Sequence, residues 1–360
     1  MKENFTPRLE IHPQHIAQNA RAILDLCHSN HVQVASVGKV ACAHPEVMRT
    51  LEDSGADMLA DSRLENLAKI RKSGTRLPLM LLRAPTPSRA AEAVQLADIS
   101  LVSDAATIKQ LSDAAIAVDQ IHKVILMIDL GDLREGVWPD RAEAVLRSVI
   151  SLPNIEVIGL GANLACYGGV IPTTANMQQL VNLRSELEKN LAVSLPILCG
   201  GNSANLPLLL ANAMPSEINL LRIGETILLG RNVLDRSPFP GTCQDTFHLV
   251  AEIIELERKP SVPIGLRGQD AFGSEPEFVD RGTRRRAICN LGRQDVSISN
   301  LTPVDPGIII LGGSSDHLIL DVEDAERTYN TGDEVSFLPG YAALLAASTS
   351  PYVKKVVVKK

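Results

Sequence analysis

Little in this 360-residue sequence marks a secreted, membrane-bound or nucleic-acid-binding protein. The six cysteines are scattered and form no C-x-x-C pair, so neither a disulfide framework nor a metal site is expected, and a cytoplasmic location is predicted. No apolar run is long enough to span a bilayer, and MKENFTPRLE lacks the apolar segment of a signal peptide. The net charge of −7 argues against nucleic acid or an anionic membrane as the main partner. None of these absences argues against a small-molecule substrate.

Aromatic residues are also scarce, at 3% of the chain, although hydrophobic residues of all kinds make up 45%. The core must therefore be built from Leu, Ile, Val and Ala, which suits parallel strands covered by helices. The basic end of the chain, VKKVVVKK, is predicted to be a frayed, solvated tail without a role.

Eight short apolar runs alternate with amphipathic stretches in the first two thirds of the chain. They are VQVASV (32–37), ADMLA (56–60), LPLMLL (77–82), ADISLV (97–102), HKVILMIDL (122–130), IEVIGLG (155–161), LPILCG (195–200) and INLLRIG (218–224). The stretches between them repeat apolar residues at helical spacing. Eight strand–helix pairs predict an α/β fold, a (β/α)8 TIM-like barrel over residues 9–235, with an open doubly wound sheet as the alternative.

The residue composition and the hydrophobic pattern change after residue 235. Pro and Gly become frequent, and short β-rich runs appear, among them FHLVAEIIEL, RRAICNLG, GIIILGG, HLILDV and EVSFL. This pattern predicts a C-terminal antiparallel β domain over residues 236–360, joined by the N-terminal residues 1–8.

Lys39 is the most informative single residue of the predicted barrel. It follows the first strand, at the carboxyl end where barrel enzymes place their active sites. A lysine partly shielded from water at that position can form a Schiff base. The alternative is a lysine that reaches from the barrel rim into solvent.

Two glycine-containing turns follow the seventh and eighth strands, in CGGNSANL and RIGETILLG. Backbone N–H groups and a hydroxyl at such turns can bind a phosphate, and these two strands are where barrels usually bind one. The alternative is that Ser203 serves only as the N-cap of a helix.

Several segments, in the same order along the chain, resemble motifs of the fold-type III pyridoxal-phosphate (PLP) enzymes, the alanine racemase group. They are VASVGKVACAHPEVMRTLEDSGADMLADSRLENL, LMIDLGDLREG, GGNSANL, LLRIGETILLG and GSSDHLILDV. The resemblance is closest to the alanine/ornithine racemase subgroup. It implies a homodimer with shared active sites that interconverts the L- and D-forms of a free amino acid, ornithine or a related basic amino acid, by removing the Cα proton.

The resemblance also implies roles for individual residues. Lys39 would hold PLP covalently and act as one acid–base residue. Arg222 would bind the pyridine nitrogen, and Arg134 would lie near the phenolic oxygen and the substrate carboxylate. The other implied cofactor contacts are Ser203, Gly224, the backbone of Glu225 and Tyr341 at the phosphate, together with Asn163 and Asn202.

The chain departs from the family pattern at the second proton carrier. The family uses a tyrosine of the β domain, and the matching position here is Arg293, which is a very poor base. Asp316 and His317 are alternatives, because their segment is expected to face the partner's active site. Cys166 and Tyr167 are alternatives within the barrel. We favour Asp316.

A second departure concerns the substrate pocket. Ala43 and His44 replace the aromatic–glycine pair that follows the family's lysine, which would widen the pocket for a longer side chain. A cationic side chain would need a carboxylate partner, and Asp132, Glu135 and Asp61 are available.

Two other functions fit the same resemblance. One is a PLP-dependent lyase like D-threonine aldolase or D-serine dehydratase, whose metal would need a third ligand that the sequence does not offer beside Asp316 and His317. The other is a non-catalytic PLP carrier, which we rank lower because small proteins of that kind lack the β domain.

Overall fold

A computed structural model of the chain describes residues 5–358. Two compact units are present: one runs from Pro13 to Gln244, and the other combines the residues before Pro13 with those from Asp245 onward. The first is a closed parallel barrel and the second is built on a largely antiparallel sheet, so the predicted fold class is confirmed. Within the described residues, no helix is both long and apolar enough to cross a membrane.

The barrel unit follows the first strand of the chain, β1 (Arg8–Ile11), which belongs to the sheet unit. Its strands pair in chain order and close on themselves: β2 (Gln33–Val37), β3 (Met58–Asp61), β4 (Leu79–Leu81), β5 (Ile99–Val102), β6 (His122–Ile128), β7 (Ile155–Ala162), β8 (Ile197–Gly201) and β9 (Leu220–Ile223). All eight predicted apolar runs form these strands.

Helices cover the barrel strands. They are α1 (Pro13–Ser29), α2 (Pro45–Asp53), α3 (Leu64–Lys72), α4 (Ala90–Leu96), α5 (Ala105–Ala117), α6 (Ala142–Val149), α7 (Thr174–Leu191), α8 (Leu206–Leu210) and α9 (Glu225–Leu229). Four 3-10 turns lie between strands and helices: Lys39–Ala41, Pro87–Arg89, Pro139–Arg141 and Ser203–Asn205.

The barrel interior explains why these runs are strands. Every residue of β3, β4 and β5 is buried, because one face lines the interior and the other packs under helices. The interior is filled by aliphatic and sulfur-containing side chains: Ala35, Val37, Met58, Ala60, Met80, Ile99, Leu101, Ile125, Met127, Ile158, Cys199 and Leu220. Aromatic side chains are absent from this cluster, as the composition predicts.

The segment after α9 is hydrogen-bonded to α1 of the barrel unit before the chain enters the sheet unit. The Asn19 side chain of α1 donates to the Ile227 carbonyl at 3.0 Å and to the Cys243 carbonyl at 2.8 Å. The Cys243 N–H donates back to Asn19 Oδ1 at 2.7 Å. These bonds keep the chain in the barrel unit as far as Gln244, and the expected domain boundary after residue 235 falls within this returning segment.

In the described residues the sheet unit contains an eight-stranded sheet: six strands pair in the order β12-β15-β10-β11-β14-β13, and β1 pairs with β10 and with β16 off this path. The strands after the barrel are β10 (Phe247–Pro260), β11 (Thr283–Cys289), β12 (Leu301–Pro303), β13 (Ile309–Gly313), β14 (Leu318–Asp321), β15 (Glu334–Pro339) and β16 (Lys354–Val357). A 3-10 turn, Ile298–Asn300, precedes β12, and one helix, α10 (Tyr341–Thr349), follows β15.

The prediction of a frayed basic tail is wrong for the residues that the structure describes. β16 pairs in parallel with β1, from Lys354 opposite Arg8 to Val357 opposite Ile11. The two lysines that begin this strand suit an edge position, since Lys354 is exposed and the residues after it are partly buried. The last two residues of the predicted tail, 359 and 360, lie outside the described chain.

Candidate active site

Lys39 lies at the carboxyl ends of the barrel strands, in the 3-10 turn that follows β2. The preceding Gly38 N–H donates to the Ala60 carbonyl of β3 at 3.0 Å, and Ser36 of β2 pairs with Ile223 of β9. The lysine is partly buried between the ends of these two neighbouring strands. This is the position that the sequence predicts for it.

The turn after β9 approaches β2 closely at Gly224. A Cβ atom on Gly224 would lie 3.0 Å from the Val37 Cβ, tighter than ordinary contact, so a glycine is favoured here. Glu225 follows as the first residue of α9. Burial raises the pKa of its carboxyl, while Arg236 and Lys39 favour the ionised form. Glu225 is also ion-paired with Arg236.

Arg222 is the centre of a buried hydrogen-bond network inside the mouth. It is 5% exposed and donates from Nη1 to Cys199 Sγ at 2.8 Å. Its Nη2 donates to the Ala162 carbonyl at 3.0 Å and to Asn163 Oδ1 at 3.1 Å. A guanidinium has no acceptor, so Arg222 can present only donors to a ligand. These acceptors on and next to β7 and β8 fix the orientation of the Arg222 side chain, and both strands lie on the side of β9 away from β2.

Asn163 and Asn202 extend this network toward the turn after β8. Asn202 Nδ2 donates to Asn163 Oδ1 at 3.3 Å and to the Leu164 carbonyl at 2.8 Å. The Nδ2 of Asn163 is buried and has no hydrogen-bond partner among residues 5–358. A buried donor left without a partner is destabilising unless a ligand or water engages it. The network therefore has an unused donor.

The turns after β8 and β9 meet at Ser203. The N-cap of the 3-10 turn is Asn202, whose Oδ1 accepts from the Ala204 N–H at 2.8 Å, so Ser203 does not have the capping role that the sequence left open. Instead its buried Oγ accepts from the Thr226 N–H at 3.4 Å, at the start of α9. Two sets of helix-start N–H groups and one hydroxyl are thus brought together.

Arg134 and Cys166 lie across the mouth from Lys39. In a closed eight-stranded barrel β6 is four strands from β2 in either direction, so the loops after β6 and β7 face the lysine. Arg134 Nη1 donates to Cys166 Sγ at 2.7 Å, and its guanidinium also pairs with Glu135. The Arg134 side chain is 37% exposed. A cation and a thiol therefore stand opposite the amine.

Asp132 holds the loop that carries Cys166. Its carboxylate is 1% exposed and accepts from the Tyr167 N–H at 2.9 Å and the Val170 N–H at 3.2 Å. Gly168 packs so closely that a Cβ there would lie 2.7 Å from the Asp132 carbonyl oxygen. Asp132 is engaged by the backbone, and it is therefore a poor partner for a substrate side chain. Glu135 is likewise engaged by Arg134.

Asp61 ends β3, beside Lys39, and is fully buried. Its Oδ1 accepts from the Arg63 N–H at 2.9 Å and from Asn66 Nδ2 at 3.1 Å, at the start of α3. Burial raises the pKa of this carboxyl, whereas hydrogen bonds from Asn66, Arg63 and the Ser62 backbone, together with the charge of Lys39, favour the ionised form. Of the three carboxylates that the sequence offers for a cationic group, Asp61 is the least engaged.

The remaining predicted residues belong to the sheet unit. His317 Nδ1 lies 2.8 Å from Asp316 Oδ1 in the turn between β13 and β14, and this hydrogen bond lowers the pKa of Asp316. Both side chains are substantially exposed. The Arg293 N–H donates to the Ser314 carbonyl at 2.9 Å, and its guanidinium stacks 4.3 Å from the Phe272 ring centroid. Tyr341 is the first residue of α10.

Sequence reasoning missed two participants in the barrel mouth. Cys199 accepts a hydrogen bond from Arg222, and its signal was its position on β8, two residues from the inward-packed Ile197. The clamping role of Asp132 had no local signal, because its partners lie more than thirty residues later in the chain.

Comparison with known proteins finds similarity to amino-acid racemases along nearly the whole chain. A family model of the alanine racemase N-terminal domain matches residues 11–232. The chain is 41% identical over 350 residues to ornithine racemase of Acetoanaerobium sticklandii, covering 97% of this chain and 99% of the relative. It is 40% identical over 350 residues to lysine racemase of Thermotoga maritima, covering 97% and 98%. Alanine racemase from Bartonella henselae with covalently bound pyridoxal phosphate superimposes with a TM-score of 0.74 at 16% identity, covering 98% of this chain and 99% of that one.

Proposed function

The chain belongs to the alanine racemase family, and from this premise we propose that it is a PLP-dependent racemase of a free basic amino acid, ornithine or lysine. Two relatives named for these substrates match it along nearly its whole length at about equal identity.

The observation that carries the proposal is the position of Lys39. It follows β2, between the end of β3 and the turn of β9 that contains Gly224 and Glu225. The turns after β8 and β9 converge next to this strand, and the loops carrying Arg134 and Cys166 face it across the mouth. An amine with donors on one side and a cation opposite suits a cofactor that has an aldehyde and a phosphate.

The residues present fit PLP. The cofactor supplies an electron-withdrawing ring that stabilises negative charge at the Cα of an attached amino acid. Ser203 Oγ, Gly224 and the backbone N–H groups of Glu225 and Thr226 would hold its phosphate. The Glu225 carboxylate does not oppose this assignment, because Arg236 balances its charge.

Two further groups would orient the cofactor. Arg222 would direct its donors at the pyridine nitrogen, held in place by Cys199 and by the Ala162 and Asn163 oxygens. The unused Nδ2 of Asn163 and the Asn202 side chain would complete the polar wall. Arg134 would bind the substrate carboxylate at the opposite rim.

Lys39 Nζ would exchange a proton with Cα on one face of the substrate. Racemisation needs a second proton carrier on the other face. We propose a homodimer with shared active sites, in which Asp316 of the partner subunit or the partner's His317 takes this role. Cys166 is the alternative within the barrel, since it lies across from Lys39 and its Sγ already accepts from Arg134.

A substrate panel tests the proposal. PLP-loaded protein is incubated with L-ornithine, L-lysine, L-arginine, L-alanine and L-serine, and chiral chromatography measures the D-forms. We expect D-ornithine or D-lysine to form fastest and Lys39→Ala to abolish the reaction. Products of Cα–Cβ cleavage or elimination would indicate a lyase. If PLP-loaded protein shows neither turnover nor deuterium exchange at Cα, the protein is a carrier.

A further inference from the structure

One carboxylate oxygen of Asp61, the last residue of β3, has no hydrogen-bond partner in the described part of the chain. Asp61 is completely buried, and its Oδ1 accepts from the Arg63 N–H and from Asn66 Nδ2. Its Oδ2 is buried too, yet it has no hydrogen-bond partner among residues 5–358. Burying a carboxylate oxygen without a hydrogen-bond partner is destabilising. Such an oxygen is therefore a candidate for binding a mobile donor.

The backbone puts Asp61 next to Lys39 at the ends of two paired strands. The Gly38 N–H donates to the Ala60 carbonyl at 3.0 Å across β2 and β3, and the residues that follow these two are Lys39 and Asp61. Lys39 and the Asp61 carboxyl attract each other electrostatically, since Lys39 favours the ionised form of Asp61. A lysine side chain is long and flexible enough to move its amine between the barrel mouth and this oxygen.

Glu225 is the other carboxyl group that faces Lys39, but its charge is balanced. It is ion-paired with Arg236, and Arg231 also favours its ionised form. No cation other than Lys39 is among the groups that favour the ionised form of Asp61. The two carboxylates are therefore not equivalent, and Asp61 is the one with capacity for an ammonium.

We propose that Asp61 is a positioning residue for Lys39: its Oδ2 holds the lysine ammonium whenever the amine is not joined to the cofactor. The ion pair keeps the side chain at the rim of the barrel. In the reaction, Asp61 thus acts through Lys39 and does not touch the substrate. This inference rests on the proposed function only in assigning Lys39 its role.

A purely capping role explains half of the Asp61 side chain. The bonds to Oδ1 account for an acidic residue at the start of α3, as in many turns of this kind. They do not account for the buried Oδ2. The test must therefore separate loss of the cap from loss of the charge.

The test measures the reactivity of Lys39 in the apo-protein. Only the neutral amine reacts with acetic anhydride, and mass spectrometry of the peptides compares acetylation of Lys39 with that of the exposed Lys109 on α5. Measurements span the pH range in which lysine amines titrate, with Asp61, Glu225 and Lys69 as the charged groups around the site. We expect Asp61→Asn to raise the acetylation of Lys39 relative to Lys109 about tenfold near neutral pH.

Two variants serve as matched controls. Asn66→Ala removes a hydrogen bond to Oδ1 and leaves the charge of Asp61. Asp104→Asn removes a capping carboxylate that accepts from the Thr107 N–H at 2.8 Å, at the start of α5. Both should leave Lys39 acetylation as in the wild type. Unchanged acetylation in Asp61→Asn, or an equal rise in Asn66→Ala, would overturn the proposal.

The outcome does not depend on whether the protein is a racemase, because neither cofactor nor substrate is present. A protein that fails the substrate panel but shows the Asp61 effect refutes the proposed function alone. Should Asp61→Asn not fold, the wild type decides: acetylation of Lys39 must lag behind that of Lys109 as the pH rises. Coinciding profiles contradict the ion pair.

Discussion

Asp132 offers a test of how the barrel mouth is built. The Asp132→Ala change removes a buried carboxylate that accepts from the Tyr167 and Val170 N–H groups at 2.9 and 3.2 Å. A hydrogen bond to a charged group contributes about 1.5–3 kcal/mol. Two such bonds, taken at the lower value because the loop is partly exposed, give about 3 kcal/mol. We expect the free energy of loop opening to fall by that amount, which corresponds to about a hundredfold faster amide exchange.

Hydrogen–deuterium exchange with mass spectrometry on the peptide covering residues 164–171 measures this effect. The same variant should lose much of its kcat/KM, because the loop presents Cys166 to Arg134. Asp140→Ala is the control, since Asp140 is exposed in the 3-10 turn that follows the Asp132 loop after β6. If protection of residues 164–171 is the same in Asp132→Ala and the wild type, the clamp does not exist and the reasoning fails.

Three further predictions concern the cofactor, pH and the second proton carrier. Ser203→Ala should weaken PLP binding about tenfold, measured by reconstitution of the apo-protein, because one donor to the phosphate is lost; unchanged binding would place the phosphate elsewhere. Burial lowers the pKa of His122 to about 4, so the unfolded chain binds a proton that the folded chain excludes. The wild type should therefore lose up to about 3 kcal/mol of unfolding free energy as the pH falls from about 6.5 to about 4, and urea titrations of His122→Asn should lack this contribution. The variants Asp316→Asn, His317→Gln and Cys166→Ser each remove one candidate for the second carrier, and deuterium exchange at Cα should persist for one enantiomer only in the variant that lacks it. Unimpaired racemisation in all three would exclude all three.

The sequence predicts the barrel well because each barrel strand carries its own signal. A strand buried on both faces is a continuous apolar run, as in MLAD of β3 and ISLV of β5, and the polar residues that follow it mark the mouth. Lys39 is found in this way, whereas Arg222 lies within β9 and its role follows from the family resemblance. No partner elsewhere in the chain has to be known for that inference.

The elements that sequence reasoning missed depend on distant partners. The N-terminal residues 1–8 are expected to join the β domain, but the strand β1 is not predicted, because its four residues are stabilised by pairing with β10 and β16, more than two hundred residues away. β16 reads as a basic tail for the same reason. The network joining Arg222 to Cys199 and Asn163 crosses three strands, and its distances follow from barrel closure. Residue order alone does not give them.

The most direct test of the central claim is chemical reduction of the PLP-loaded protein. Treatment with sodium borohydride makes a Schiff base permanent, and mass spectrometry of the peptides then locates the modified lysine. We expect the phosphopyridoxyl group on Lys39 alone, with Lys39→Ala unmodified. A label on another lysine, or none, would contradict the assignment of this barrel mouth as a PLP site.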